Sequence, residues 1–149
     1  MVVGITSQSG WSLTHLSHVY SRLNDGENAL NCLRMLLRTS ILSNLFTLHN
    51  DSLPRGNSLY WWDLHAFQAD ANMGFASAIS EMFLYSTGDG YIKIAPAVPE
   101  LFKNAKIKGL CAKGNLKVDI ELEKGFAHTT IYSNKEKRQP ALTSCPSDL

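Results

Sequence analysis

Charge of either sign is scarce in this sequence. Its 149 residues include 14 basic and 13 acidic side chains, so charged residues make up 18% of the chain and the formal net charge is +1. Soluble domains usually carry about 25% charged residues, so this chain either buries much of its surface or belongs to something larger. The near balance of signs argues against a dedicated nucleic-acid-binding protein, which usually has a pronounced basic face.

Other common features are missing as well. No apolar run approaches the roughly 18 residues of a membrane-spanning helix, and the N-terminus lacks the pattern of a signal peptide, which leaves the compartment open. Three cysteines without a C-x-x-C pair argue against a disulfide framework or a zinc cluster. There is no G-x-S-x-G, Walker or HExxH motif, so none of these common signatures indicates a hydrolase or a nucleotide-binding protein.

The first half of the chain has the periodicity of helices. Residues 11–23 predict one helix, because apolar side chains recur there at steps of three and four. Asp25 is predicted to cap a second helix over residues 27–38, antiparallel to the first, and a third is predicted over residues 72–85. The side chains expected to face inward are Leu13, Leu16, Tyr20, Leu23, Ala29, Leu33, Leu36, Leu37, Phe75, Ala78, Ile79, Met82 and Phe83.

The second half changes to the period of strands. Predicted strands cover residues 91–94, 106–111, 116–122 and 126–132, and a turn at 123–125 joins the last two into a hairpin. Helices followed by antiparallel strands predict the α+β fold class. Residues 134–149 are polar and lack periodicity, which predicts a mobile tail.

Three side chains in the helical half are of types that often bind metals or react. His15 and His18 are three residues apart and could bind a metal from one helical face, but no third ligand follows at a matching spacing. A helix surface facing a cleft, or a hydrogen-bonded core histidine, is the alternative. Cys32 lies among leucines and is interpreted as a small core residue. No cofactor is expected.

The segment 64–74 (LHAFQADANMG) carries the most chemistry. Asp70 is predicted at the start of the third helix, where its carboxylate could simply cap free N–H groups. Alternatively, Asp70 converges with Gln68, Asn72 and a histidine beneath the long loop 39–71, whose aromatic residues favour a packed, functional loop. Carbohydrate-binding sites often combine aromatic, amide and carboxylate side chains, because aromatic faces pack on sugar C–H surfaces and amides form hydrogen bonds with hydroxyl groups.

Five segments resemble a known family in unbroken order. They are residues 10–12 (GWS), 22–30 (RLNDGENAL), 67–74 with 80–82 (FQADANMG, SEM), 94–99 (IAPAVP) and 108–120 (KGLCAKGNLKVDI). The resemblance, which covers about residues 8–133, is to glycoside hydrolase family 95, the family of inverting α-L-fucosidases and relatives that act on L-galactose.

The resemblance implies a fold and a domain organisation. The family's catalytic domain is an (α/α)6 barrel of twelve helices, which 149 residues cannot contain. The chain is therefore expected to be the last part of a longer enzyme. Residues 1–88 would hold the late barrel helices and the catalytic-loop segment, 89–133 a β-rich C-terminal domain, and 134–149 the tail. Inward-facing side chains such as Leu36 and Met82 would then lack neighbours, and the exposed barrel helices could self-associate.

The resemblance also implies the site residues. Asp70 matches the carboxylate of the family's FQID motif, which helps to activate the attacking water. Trp11, His65, Gln68 and Asn72 are the expected substrate-binding residues, and no metal is expected. The family's general acid and its asparagine pair lie upstream and have no counterpart here, so the chain alone is expected to be inactive.

The sequence departs from the family pattern in three places. The family's FQIDGNF has become FQADANM at residues 67–73. The family has a histidine six residues before the aspartate, where this sequence has Leu64 and places His65 one position later. The tryptophan of the family's GWSxxW motif is His15 here. These departures bear on the shape of the sugar pocket.

Two functions follow as hypotheses. The first is part of a glycoside hydrolase that acts on α-L-fucosyl or related L-galactosyl linkages by inverting hydrolysis. The second is a stand-alone carbohydrate-binding or interaction module without catalysis, with Tyr60, Trp61 and Trp62 as its aromatic platform. Both predict a glycan partner, and neither predicts a nucleic-acid or membrane partner.

Overall fold

The computed structural model describes residues 4–58, 66–133, 136–137 and 141–144. Within them the chain forms three α-helices: α1 (Gly10–Arg22), α2 (Gly26–Thr39) and α3 (Ala69–Phe83). Single 3-10 turns cover Ile5–Ser7 and Glu100–Phe102. None of the described helices is long and apolar enough to cross a membrane.

Two antiparallel sheets follow the helices. The smaller is a hairpin of β1 (Leu84–Ser86) and β2 (Ile92–Ile94). The larger contains β3 (Lys106–Ala112), β4 (Leu116–Glu123), β5 (Phe126–Ser133), β6 (Glu136–Lys137) and β7 (Ala141–Ser144). In it β4 lies between β3 and β5, while β5 also pairs with β6 and β7. Helices first and antiparallel strands second confirm the predicted α+β fold class.

The caps explain where the helices begin. Asp25 caps α2 as predicted, because its carboxylate accepts a hydrogen bond from the Asn28 backbone N–H at 3.0 Å. By contrast, α3 begins at Ala69, earlier than predicted, with Gln68 at the cap position and no side-chain cap bond. Asp70 therefore lies inside the first turn of α3, and its interpretation as the cap of a helix starting near Asn72 is wrong.

The end of α3 also differs from the prediction. The apolar period continues to Tyr85, yet Leu84–Ser86 form β1. The reason is pairing with a later segment, since Leu84 lies opposite Ile94 and Ser86 opposite Ile92. Tertiary pairing outweighs local helical preference at this point.

The buried face of α1 is more polar than the apolar period predicts. Leu23 is 68% exposed, whereas Thr14, Ser17 and Ser21 are buried. These short side chains let neighbouring helices approach closely, and the Ser17 hydroxyl donates to the Ala29 carbonyl of α2 at 2.9 Å. Because much of this buried face consists of small hydroxyl residues, the apolar period of the sequence does not mark it. The prediction that Leu23 faces inward is wrong.

One core joins the helices to the larger sheet. Its buried members include Leu33 of α2, Met82 of α3 and Ile120 of β4. The expectation that inward-facing helical residues lack neighbours is wrong for Leu33, Leu36 and Met82, which are covered within this chain, whereas Leu37 is 45% exposed. Cys32 is fully buried, which confirms its assignment to the core, and burial raises the pKa of its thiol to about 11.

The long loop after α2 is organised around a buried carboxylate. Asp51 is fully buried and accepts hydrogen bonds from the backbone N–H groups of Leu53, Arg55 and Asn57 at 3.2, 2.7 and 3.1 Å. The Arg55 guanidinium lies 3.7 Å from the same carboxylate and donates to the Thr39 carbonyl at 2.8 Å. The loop is thereby tied back to the end of α2.

Two predicted segments fall partly or wholly outside the described residues. The aromatic residues Tyr60, Trp61 and Trp62 lie outside them. The segment 134–149 is predicted from the sequence to be a mobile tail without regular structure. Its described residues instead form β6 and β7, and both strands pair with β5. The division into domains at residues 88 and 133 stays a prediction.

Gly26 lets the chain after β2 pass directly over the start of α2. A Cβ built on Gly26 would lie 2.7 Å from the Ala97 carbonyl carbon and 2.8 Å from the Pro99 nitrogen. Because backbone atoms cannot move aside easily, Gly26→Ala should lower the free energy of unfolding by about 1–3 kcal/mol, measured by urea denaturation. Gly88→Ala is the matched control, since a Cβ there meets nothing within 4 Å. Equal midpoints for the two variants would contradict this close packing.

Candidate functional site

A groove of about 380 Å³ runs along α1 beside the start of α3. It is lined by Trp11, Thr14, His15, His18, Val19, Arg22 and Asp70. Side chains at steps of three and four on α1 share one face, which explains how a single helix supplies most of this lining. Asp70 is the one carboxylate among these lining residues, and α3 supplies it.

Asp70 is exposed and lies in the first turn of α3. One of its carboxylate oxygens accepts a hydrogen bond from the Ala71 backbone N–H at 3.0 Å. The N-terminus of a helix carries a partial positive charge, which attracts a negative side chain at this position. The carboxylate is thus held at the first turn of α3 while it remains accessible from the groove.

Gln68 connects the starts of α1 and α3. Its side-chain oxygen accepts a hydrogen bond from the Trp11 backbone N–H at 3.0 Å, one of the N–H groups that the first turn of a helix leaves unpaired. Gly10 permits this approach, since a Cβ there would lie 2.9 Å from the same oxygen. Gln68 therefore positions Trp11 with its oxygen, and the Trp11 side chain is 46% exposed.

Asn72 is bound to the preceding loop by both ends of its amide. Its oxygen accepts from the Thr47 backbone N–H at 3.0 Å and from the Thr47 hydroxyl at 2.7 Å. Its nitrogen donates to the Leu45 carbonyl at 2.8 Å. These bonds hold the loop against the first turn of α3, directly beside Asp70.

The two histidines of α1 differ in their surroundings. His18 Nδ1 lies 2.7 Å from the Thr14 carbonyl oxygen, which can only accept, so Nδ1 carries a proton. In the neutral ring Nε2 then accepts from the Ser77 hydroxyl at 2.9 Å. His15 is exposed in the groove. No group of three potential metal ligands occurs among the described residues.

An ion pair that linear spacing does not reveal closes one end of the groove. Arg22 Nη2 of α1 lies 3.1 Å from Glu81 Oε1 of α3, and its guanidinium lies 5.1 Å from the Tyr85 ring centroid. The hydrogen bond to Glu81 raises the pKa of Arg22 above its ordinary value. Arg22 and Glu81 are 59 positions apart in the chain, so only the packing of α1 on α3 brings them together.

The structure thus places four of the five predicted site residues around the joined starts of α1 and α3. Asp70 and Trp11 line the groove, whereas Gln68 and Asn72 make the hydrogen bonds that hold its edges. His65 lies outside the described residues.

Comparison with known proteins identifies the family. A family model described as the glycosyl hydrolase family 95 catalytic domain matches residues 3–83, which contain all of α1, α2 and α3. A second, described as the glycoside hydrolase family 95 C-terminal domain, matches residues 87–145, which contain the larger sheet. The chain belongs to glycoside hydrolase family 95. The two matches confirm the predicted architecture of closing barrel helices followed by a β-rich C-terminal domain.

Two curated proteins are similar to most of this chain. It is 33% identical over 118 residues to "Alpha-L-fucosidase 2" of Arabidopsis thaliana, a match that covers 78% of this chain and 13% of that protein. It is 28% identical over 128 residues to "Probable alpha-fucosidase A" of Aspergillus oryzae, which covers 79% of this chain and 16% of that protein. The chain therefore spans less than a fifth of the length of these relatives.

Proposed function

We propose that this chain supplies one wall of the substrate groove of a family 95 glycoside hydrolase that cleaves α-L-fucosyl or related L-galactosyl linkages with inversion. The observation that carries the proposal is the accessible Asp70 carboxylate, which lines a groove together with the half-exposed Trp11 ring. Both similar relatives are named as α-fucosidases, which supports the choice of sugar.

Asp70 is assigned the activation of the attacking water. A carboxylate at a helix start is held in place by local bonds, and its negative charge can orient and polarise a water molecule in the groove. Inverting hydrolysis needs a second group about 6.5–9.5 Å away to protonate the leaving oxygen. Among the described residues no second carboxylate lines the groove, and we assign the proton donor to a segment outside this chain.

Some of the remaining site residues contact the sugar, and others hold the pocket in place. The Trp11 ring offers a flat apolar face to the sugar, and the Gln68 amide nitrogen can donate to a hydroxyl while its oxygen holds Trp11. Asn72 supports the loop beside Asp70 through both ends of its amide, and we assign to it the placement of that edge of the pocket. His65 completes the proposed set.

The proposed domain organisation keeps the boundaries predicted from the sequence. Residues 1–88 form part of the (α/α)6 barrel, and 89–133 form the β-rich domain, to which β6 and β7 of the segment 134–149 add two strands beside β5. In this arrangement the exposed surfaces of α1 and α2 contact the rest of the barrel. The alternative module without catalysis would bind sugar through Tyr60, Trp61 and Trp62 and would need no further polypeptide.

A chimera tests the proposal. The segment of Arabidopsis Alpha-L-fucosidase 2 that matches this chain is replaced by residues 1–149, and release of fucose from an α-L-fucosyl substrate is measured. We expect the chimera to hydrolyse the substrate and the 149-residue chain alone to release none. The unmodified relative is the control. Hydrolysis by the chain alone, or a folded chimera without activity, would contradict the proposal.

A further inference from the structure

A second cavity, of about 530 Å³, lies between the helices and the larger sheet. The turn after α1 contributes Asn24, the segment after β2 contributes Pro99 and Asn104, and the hairpin between β4 and β5 contributes Leu122 and Phe126. Its volume is within the range of about 300–1,000 Å³ that is usual for small-molecule sites. No step of the proposed reaction uses it.

The cavity lies at the opposite end of α1 from the part of the groove that contains Trp11 and Asp70. Trp11 lies in the first turn of α1, whereas Asn24 follows its last residue, Arg22. At 1.5 Å per residue the two positions are about 20 Å apart along the helix axis. A ligand in the cavity would therefore be bound separately from the sugar beside Asp70.

The wall formed by the segment after β2 is firmly held. The Ala95 and Ala97 backbone N–H groups donate to the Phe83 and Met82 carbonyls at 2.7 and 3.2 Å. The Glu100 backbone N–H donates to the Glu27 carboxylate of α2 at 2.6 Å. Because these bonds are already formed in the absence of a ligand, little ordering is needed when one binds.

The lining combines an apolar floor with an aromatic wall, amides and the exposed charged residues Glu100, Lys103 and Lys124. Lys103 pairs with Glu100 and Lys124 with Glu123, so these charges compensate one another. Leu122 is 5% exposed and forms part of the floor, whereas the Phe126 side chain is 56% exposed at the hairpin. Asn24 Oδ1 accepts a hydrogen bond from Lys93 Nζ, so its amide nitrogen is the atom available to donate to a ligand. Asn104 adds a second amide at the rim. A flat aromatic face beside paired donors and acceptors fits the C–H faces and hydroxyl groups of a pyranose.

We propose that this cavity is an accessory glycan-binding site that takes one or two neutral sugar units. The choice of ligand class rests on the proposed function, whereas the location rests on the geometry of the cavity. Phe126 stacks on the sugar ring, and Asn24 and Asn104 bond its hydroxyl groups. Such a site would keep a branched or polymeric glycan close to the groove during successive cleavages.

Nuclear magnetic resonance of the ¹⁵N-labelled full chain tests the proposal. L-Fucose, D-galactose and α-L-fucosyl-(1→2)-D-galactose are added separately, and the backbone amides of Asn24, Asn104 and Gly125 are followed. We expect saturable shifts at these amides with a dissociation constant on the order of 1 mM for at least one sugar. Amides of the groove, such as that of Trp11, report binding beside Asp70 independently.

Two variants and a control decide whether the cavity residues are responsible. Phe126→Ala is expected to weaken binding about tenfold, and Asn104→Ala, at an exposed position, is expected to weaken it as well. Tyr132→Ala is the control, because Tyr132 is a 40% exposed aromatic residue on the same face of β5, and its loss should leave the dissociation constant unchanged.

The outcomes separate this proposal from the proposed function. Saturation at the cavity supports the accessory site whatever happens at the groove. Shifts confined to Trp11 and its neighbours, absence of shifts at the cavity with all three sugars, or equal binding by Phe126→Ala and the wild-type chain would overturn it. An inactive chimera with intact binding at the cavity would contradict only the catalytic role.

Discussion

Replacing Asp70 with Asn in an active family 95 chimera that contains this chain is expected to reduce turnover by about 10²–10⁴-fold, the usual effect of losing acid–base assistance. Asn has nearly the same shape and keeps an oxygen for the Ala71 N–H bond, but it lacks the charge that polarises water. The free energy of unfolding should change by less than about 1 kcal/mol, since an exposed charge in a first helical turn contributes little more.

Glu81→Gln is the matched control for this experiment. Glu81 is also a carboxylate of α3, but it does not line the groove and pairs with Arg22, the last residue of α1. Loss of a partly exposed ion pair should cost at most about 1 kcal/mol and leave most of the turnover. Full turnover in Asp70→Asn together with a lowered melting temperature would reduce Asp70 to a structural residue and remove the catalytic assignment.

The largest effect on stability is expected for Asp51→Ala. The Asp51 carboxylate, itself fully buried, accepts from three backbone N–H groups and lies beside the partly exposed Arg55 guanidinium. Alanine leaves these donors without an acceptor, which should lower the free energy of unfolding by about 3–5 kcal/mol. That is a large share of the stability of an ordinary domain, which is about 5–15 kcal/mol. Urea denaturation of the full chain measures the loss.

Two substitutions make the Asp51 experiment specific. Asp51→Asn keeps one acceptor oxygen and should give an intermediate loss. Asp89→Ala removes an exposed carboxylate from a surface turn and should change the midpoint much less. An unchanged midpoint in Asp51→Ala would mean that the loop opens independently of the core, and its role in tying residues 51–57 to α2 would be rejected.

The parts of the fold that sequence predicted well are those decided by neighbours in the chain. Asp25 caps α2 through Asn28, three residues away, so the signal is contained in one short segment. The alternation in residues 116–122 predicts β4, because a strand with one buried face needs every second side chain to be apolar. The order of helices before strands then follows, and with it the fold class.

The parts that sequence predicted poorly depend on distant segments. Leu84 joins a strand because it pairs with Ile94, and no local feature distinguishes it from the helix before it. Leu23 is exposed just after the last residue of α1, and the buried face of α1 contains hydroxyl residues that an apolar period does not mark. The importance of Asp51 also escapes a linear pattern, since its isolated position in a polar loop is typical of an exposed aspartate.

The candidate site shows the same division. By itself, the sequence determined the identity of the chemical groups and the family, because the motif around Asp70 and the segments around it occur in a recognisable order. Only the tertiary structure decided what each group does, since Gln68 supports Trp11 and Asn72 supports the loop through bonds that span 57 and 25 positions. The physical reason is that motifs specify side chains, whereas hydrogen-bond partners and exposure are set by segments that meet only when the helices pack.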